Sequence, residues 1–170
     1  MTSQTATPAD PSDDELEILR QSNIGRLLDE VHVGFDQLAL SYLKQRGYPM
    51  LSASHTHVLR TMRLEGARVT DMAGQAGISK QAMSKLVAAF EQHGFVEWRT
   101  NPSDGRSRMV YATPAGRQLL AHGVDALQHA EEEYFGELTA DERETLRNLL
   151  KLAQENRQRH RWSDWRRRRA

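Results

Sequence analysis

The sequence predicts a mainly α-helical protein carrying one small β-hairpin, and three observations predict it. Apolar residues recur at helical spacing through most of the 170 residues. That period gives way to alternation over only two short runs, 95–99 and 109–113, separated by turn chemistry. Glycines and helix-capping residues fall where one helix must end and the next begin.

Each element follows in order. Met1 to Asp14 is polar and reads as a disordered segment, without the charged start and hydrophobic middle of a secretory signal. From Glu15 to Arg46, the residues Leu16, Leu19, Ile24, Leu27, Leu28, Val31, Phe35, Leu38 and Tyr42 keep the period of one long amphipathic helix, and Gly47 with Pro49 stops it. A second helix follows Leu51-Ser52 and ends in Val58-Leu59-Arg60. Two short helices joined by a tight turn come next. The first opens at Thr70, whose side-chain oxygen is expected to cap it, carries Asp71 near the positive end of its dipole, and ends at Gly77. Ser79 caps the other, whose Met83, Leu86, Val87 and Phe90 form one buried stripe before Gly94 closes it at the left-handed position.

Phe95, Glu97 and Arg99 then share one face of a short strand, with Val96 and Trp98 on the other, and Met109 to Thr113 reads as its antiparallel partner. Between them, Asn101 to Arg108 is a turn bearing two arginines, with Arg106 at or near its tip. Thr113-Pro114 opens a helix through Leu119, Leu120, Val124, Leu127 and Tyr134 to a break near Gly136. Thr139 and Glu142 have the spacing of a capping box before Leu146, Leu149, Leu150 and Ala153. The expected organisation is a disordered segment 1–14, an N-terminal dimerisation helix 15–50, a winged helix-turn-helix 51–113, C-terminal dimerisation helices 114–160 and a basic tail 161–170.

The polar face of the Ser79-capped helix points to DNA. Ser79, Lys80, Gln81, Ala82, Ser84, Lys85 and Ala88 are small or polar, which suits a helix pressed into the major groove, with Gln81, Ser84 and Lys85 placed to read base edges. The plain alternative is a solvated face. Arg106 on a narrow hairpin suits an A·T-rich minor groove, whose concentrated negative potential attracts arginine, while Arg108 is expected to meet a phosphate or an acidic neighbour.

Formal net charge is zero, but its distribution is not even. Residues 60–117 hold 9 Lys+Arg against 5 Asp+Glu, whereas 1–51 hold 4 against 8 and 118–156 hold 3 against 9. The positive field is therefore local, as orientation on a polyanion requires. With no cysteine, disulfides, thiolate metal sites and cysteine-based peroxide sensing are excluded. No stretch is long or apolar enough to span a membrane, so a cytoplasmic chain without a membrane partner is expected. Nothing assembles an activated nucleophile, a metal cluster or a phosphate-cradling loop, which argues against an enzyme and calls for no cofactor. Three long apolar stripes exceed what one small winged helix can cover, so a homodimer is expected.

In order and spacing, Leu51-Ser52, Val58-Leu59-Arg60, the helix-turn-helix, Asp104-Gly105-Arg106 and Tyr111-Ala112-Thr113-Pro114-Ala115-Gly116 resemble the multiple antibiotic resistance regulator (MarR) family of winged-helix transcription factors. The resemblance covers roughly Glu15 to Arg157. It implies a homodimer built by the terminal helices, binding a pseudo-palindromic operator on double-stranded DNA, most often to repress, and released by a small ligand. It also gives Asp104 a structural role, pairing with an arginine to hold the wing. A winged helix used only for protein contacts is the alternative, distinguished by weak salt dependence of DNA affinity.

Histidines are the least assigned residues. In the resembling family, small effectors bind in a cavity between helices, and His32, Phe35, His55, Leu59 and Met62 are the candidates here for an aromatic or anionic ligand. Imidazoles at such sites have three readings: effector contact or titration near neutral pH, metal sensing, and structure. The metal reading lacks the ligand spacing it needs. The tail has two readings. Trp162 and Trp165 with Arg166 to Arg169 are either a frayed, solvated helix end or a docked face supplying sequence-independent attraction to DNA.

Overall fold

A computed structural model of the chain describes residues 10–101 and 104–159, with side chains described except at Asn101, Asp104, Arg106 and 157–159. The tail readings on Trp162, Trp165 and Arg166 to Arg169 lie outside these residues. Among the described residues, seven helices and one hairpin follow in the order α1 (Asp13–Gln21), α2 (Ile24–Gln45), α3 (Thr56–Thr61), α4 (Val69–Ala76), α5 (Lys80–Gln92), β1 (Val96–Asn101), β2 (Asp104–Ala112), α6 (Pro114–Tyr134) and α7 (Ala140–Arg159). A single 3-10 turn, Ala53–His55, leads into α3. The fold is mainly α with a β-hairpin wing, as expected. Contacts group the chain into a larger unit, Met1–Gln128, and a smaller one, His129–Ala170.

The long N-terminal helix is two helices. Its apolar period runs unbroken through Ser22 and Asn23, but both are residues that compete with helical backbone bonding, and the Asn23 side chain accepts the Arg26 amide at 3.2 Å to start α2 afresh. The start also lies earlier than expected. Ser12 and Glu15 form a reciprocal capping box, Ser12 N donating to Glu15 Oε2 at 2.8 Å, which draws Asp13 and Asp14 out of the expected disordered segment and into α1. Gly47, at φ 99°, ends α2 as its sequence position suggested.

The core of the larger unit gathers Val58 and Met62 around α3, Met72 from α4, Met83, Val87 and Phe90 from α5, Phe95, Val96 and Val110 from the hairpin, and Leu119 from α6. Each removes apolar surface from water, worth roughly 1.5–3 kcal/mol per large side chain. In the smaller unit, the Thr139 capping box forms as expected: Thr139 N donates to Glu142 Oε2 at 2.8 Å, and Thr139 Oγ1 accepts the Glu142 amide at 3.3 Å. Within the same unit, Arg147 bridges Glu131 at 2.7 Å and also pairs with Glu144.

Candidate nucleic-acid interface

The helix pair is set by its caps. Gly77, at φ 72°, closes α4, and the Ile78 amide reaches back to Ala73 O at 3.1 Å, so the chain turns sharply into α5. Ser79 then caps α5, its hydroxyl accepting the Ala82 amide at 3.1 Å. The start of α4 departs from expectation. Its cap position is Arg68, without a side-chain cap, and Thr70 sits inside the first turn with its hydroxyl directed to Asp71 at 3.5 Å. The Arg68-Val69 backbone is fixed instead from outside the helix, by the neighbouring bridge in which Ala67 and Val110 exchange both backbone bonds at 3.0 and 2.9 Å.

Along α5, Met83, Val87 and Phe90 are buried and Leu86 is half-buried, so the helix cannot roll without exposing its stripe. This leaves Lys80, Gln81, Lys85 and Ala88 exposed together with Ser79, while Ala82 and Ser84 are half-buried beside them. Gly94, at φ 72°, ends the helix, and the Phe95 amide returns to Phe90 O at 2.9 Å.

The hairpin is longer and its turn shorter than the alternation suggested. Strand β2 begins at Asp104, and the ladder runs from Val96↔Ala112 to Thr100↔Arg108, then shifts register before Asn101↔Asp104. Pairing of the polar residues continues because each strand's backbone completes its bonds on the other, whatever the side chains. The backbone of Arg106 therefore lies in β2; its side chain, and that of Asp104, lie outside the described residues. Arg108 is exposed, and its described partner is a ring: the guanidinium sits 5.1 Å from the Trp98 centroid. Arg99 lies 5.1 Å over Tyr111 and pairs with Glu97.

The hairpin hands over to α6 at a tight junction. Thr113 N donates to Phe95 O at 3.1 Å, the Thr113 hydroxyl donates to Gly94 O at 2.6 Å and accepts the Gly116 amide at 3.1 Å. A side chain at Gly116 would place its Cβ 1.9 Å from Phe95 O, so only glycine allows this approach. The end of α5 is thus bound directly to the start of α6.

Within the larger unit, α2, α3 and α6 enclose a cavity of about 180 Å³, walled by Ala39, Leu40, Leu43, Leu59, Leu120, Val124 and Leu127, with Asp36, Thr56 and Arg60 as polar lining. Of the expected effector residues, Leu59 lines it. His32, Phe35, His55 and Met62 are not among its lining residues, because their helices present neighbouring faces to it. His32 acts at one remove: its Nε2 lies 3.2 Å from Arg60 Nη1, and His57 Nδ1 lies 3.1 Å from Arg60 Nη2. His55 is a cap. Its Nδ1 accepts the Ser52 amide at 3.0 Å, and its ring rests 5.6 Å from that of Phe90. Burial, and then the nearby His93, hold the His55 imidazole below its usual range. Met62 is core, and Phe35 is half-buried on α2.

The sequence profile of the MarR family matches residues 51–107, the segment from two residues before the 3-10 turn into the wing. Over 78 residues the chain is 30% identical to the transcriptional regulator HosA of Escherichia coli O111:H-, covering 45% of this chain and 58% of that protein, so it spans little more than half the length of this curated relative. Its fold superposes on wild-type E. coli MarR in the apo form with a TM-score of 0.66 and 26% identity, covering 77% of this chain and 96% of the other. Residues 51–107 are thus similar to the MarR family, and the fold is that of MarR-type winged-helix structures. A second solved structure, CouR from Rhodococcus jostii RHA1 bound to p-coumaroyl-CoA, gives a TM-score of 0.63 at 25% identity over 76% of this chain and 90% of its own.

Two parts of the site are not legible in the sequence. Alternation places Trp98 on a strand face and gives it no role, although an aromatic residue one diagonal from an arginine on a hairpin is the signal of a stack. The sequence marks Arg60 only as the end of a helix, yet it is the cation at the cavity, and its i,i+3 spacing from His57 is the available signal.

Proposed function

We propose that this chain is a sequence-specific DNA-binding regulator of transcription that works in the cytoplasm as a homodimer on a pseudo-palindromic operator, represses, and is released by a small ligand. The observation that carries the reading is the exposed Lys80, Gln81 and Lys85 face of α5, held in place by Met83, Val87 and Phe90 and flanked by a basic hairpin. Gln81, Ser84 and Lys85 read base edges, Ser79, Lys80 and Ala82 approach the backbone, Arg106 enters the minor groove, and Arg108 meets phosphate. The names of relatives such as HosA, a transcriptional regulator, support it.

Dimerisation is supported by apolar residues left open within the chain: Leu16, Leu19 and Ile24 on α1 and α2, and Leu149, Leu150 and Leu152 on α7. Ligand release is supported by the cavity, comparable to the roughly 150 Å³ that admits one aromatic ring, and by Arg60 at its edge as the partner for an acid group. That CouR was crystallised with p-coumaroyl-CoA is consistent with an aromatic, anionic effector.

Selection of bound duplexes from a random pool tests the reading. A recovered palindrome with half-sites about 10 base pairs apart, and an affinity falling steeply with salt, is expected. Binding without sequence preference, or by a monomer on one half-site, overturns it. Calorimetry with a panel of aromatic acids tests release: equal ligand affinity with and without the selected duplex removes the effector from the reading, since such a ligand shifts nothing.

A further inference from the structure

The arginines on the two faces of the hairpin are held differently. Arg99 lies over Tyr111 and is paired with Glu97, so its charge is offset within the hairpin. Arg108 rests on Trp98, and a ring holds a guanidinium without cancelling its charge. The ladder explains the contact: Trp98 stands opposite Val110, which puts Arg108, two residues nearer the turn, diagonally beside it on the same face. The edge of the same indole is held from elsewhere. Trp98 Nε1 donates to Glu91 Oε2 at 3.2 Å, and Glu91 lies in the last turn of α5.

We propose that Trp98 is a positioning residue that locks the wing to α5, gripped at its edge by Glu91 and carrying on its face the charge of Arg108, so that this cation meets phosphate at a fixed offset from the α5 reading face. The proposal rests on the DNA-binding reading above. Glu91 sets the indole, the indole sets the guanidinium, and loss of any one lets the hairpin turn relative to α5.

The test uses the full chain in two arms. With Trp162→Phe and Trp165→Phe, Trp98 is the single remaining tryptophan of three. In this DNA-free background, Glu91→Ala and Arg108→Ala should each raise acrylamide quenching of Trp98 and shift its emission to the red, while Glu91→Gln, which keeps an acceptor oxygen, should not. In the second arm, duplexes selected by the unmodified protein are bound by Trp98→Leu, Arg108→Ala and the double variant. Each single change should weaken binding about two- to fivefold, the size of an exposed cation–π pair, and the double variant should be no worse than the weaker single. Trp98→Phe, which keeps a ring face, should retain most of the affinity. Unchanged quenching, or losses that multiply in the double variant, overturn the coupling. Failure of the unmodified protein to select any duplex instead defeats the DNA-binding reading, and the quenching arm still decides whether Trp98 joins wing and helix.

Discussion

Helices α5 and α1 are both amphipathic, yet they spend their apolar faces in opposite ways. On α5, Met83 and Val87 are 0% exposed and Phe90 is 1% exposed, so the face is satisfied within one copy and the polar side is left for other work. On α1, Leu16, Ile18 and Leu19 are 44%, 66% and 61% exposed, and no residue of the helix is buried. Amphipathic spacing therefore states that a face needs covering and is silent on what covers it. The same pattern marks a core element in one place and an open surface in the other.

The comparison breaks first on stability. Phe90→Ala should cost about 3–5 kcal/mol in denaturant unfolding, since the enclosed ring loses its burial and leaves a cavity. Leu19→Ala, at concentrations where the chain is monomeric, should change the same measurement by less than about 0.5 kcal/mol. Equal losses would mean that α1 is as much a core element as α5.

Leu19→Glu sharpens the other half. If that face is covered by a second copy, a carboxylate there should weaken self-association by on the order of 1–3 kcal/mol in sedimentation while leaving monomer unfolding almost unchanged. An unaltered association constant would place the dimer contact elsewhere. On α5, Gln81→Ala and Lys85→Ala should each cost about 1–3 kcal/mol on the selected duplex, relax preference at the contacted base, and leave unfolding within about 0.5 kcal/mol. Wild-type preference in both variants would show that the exposed face is merely solvated.

The smallest effect concerns His55, which joins the 3-10 turn to Phe90 beneath α5. Its folded-state affinity for protons is lowered from the ordinary 6.5, first by burial and then by His93. The unfolded chain consequently takes up a proton that the folded chain resists, so the contribution of His55 is fully present above about pH 6.5 and is lost as pH falls below it. His55→Asn, which keeps an acceptor for the Ser52 amide but does not titrate, should flatten that part of the stability profile. A profile with the same slope in the variant would assign the acid sensitivity to other groups.

The parts of the site legible in the sequence are those built from residues within a few positions of one another. Ser79 reaches only to Ala82, Thr139 only to Glu142, and Gly77 and Gly94 act on their own turns, so composition and spacing suffice to place them. The polar face of α5 follows from its apolar stripe by the period of the helix. Even locally, competition was decided by context: Asn23 could have continued one long helix or capped a new one, and it caps.

What the sequence by itself determined, then, is the succession of elements from α2 onward, the two αL closures of the helix pair, the Thr139–Glu142 capping box and the exposed Lys80, Gln81 and Lys85 face. Tertiary structure alone decided that Glu91 grips the Trp98 indole whose face carries Arg108, that Ala67 bridges Val110, that Gly116 lies against Phe95, and that Arg60 rather than His55 reaches the cavity. The physical reason is that a hydrogen bond or capping contact within one turn is constrained by chain connectivity. Which faces of distant elements meet is set by how the whole core closes, information no local spacing carries.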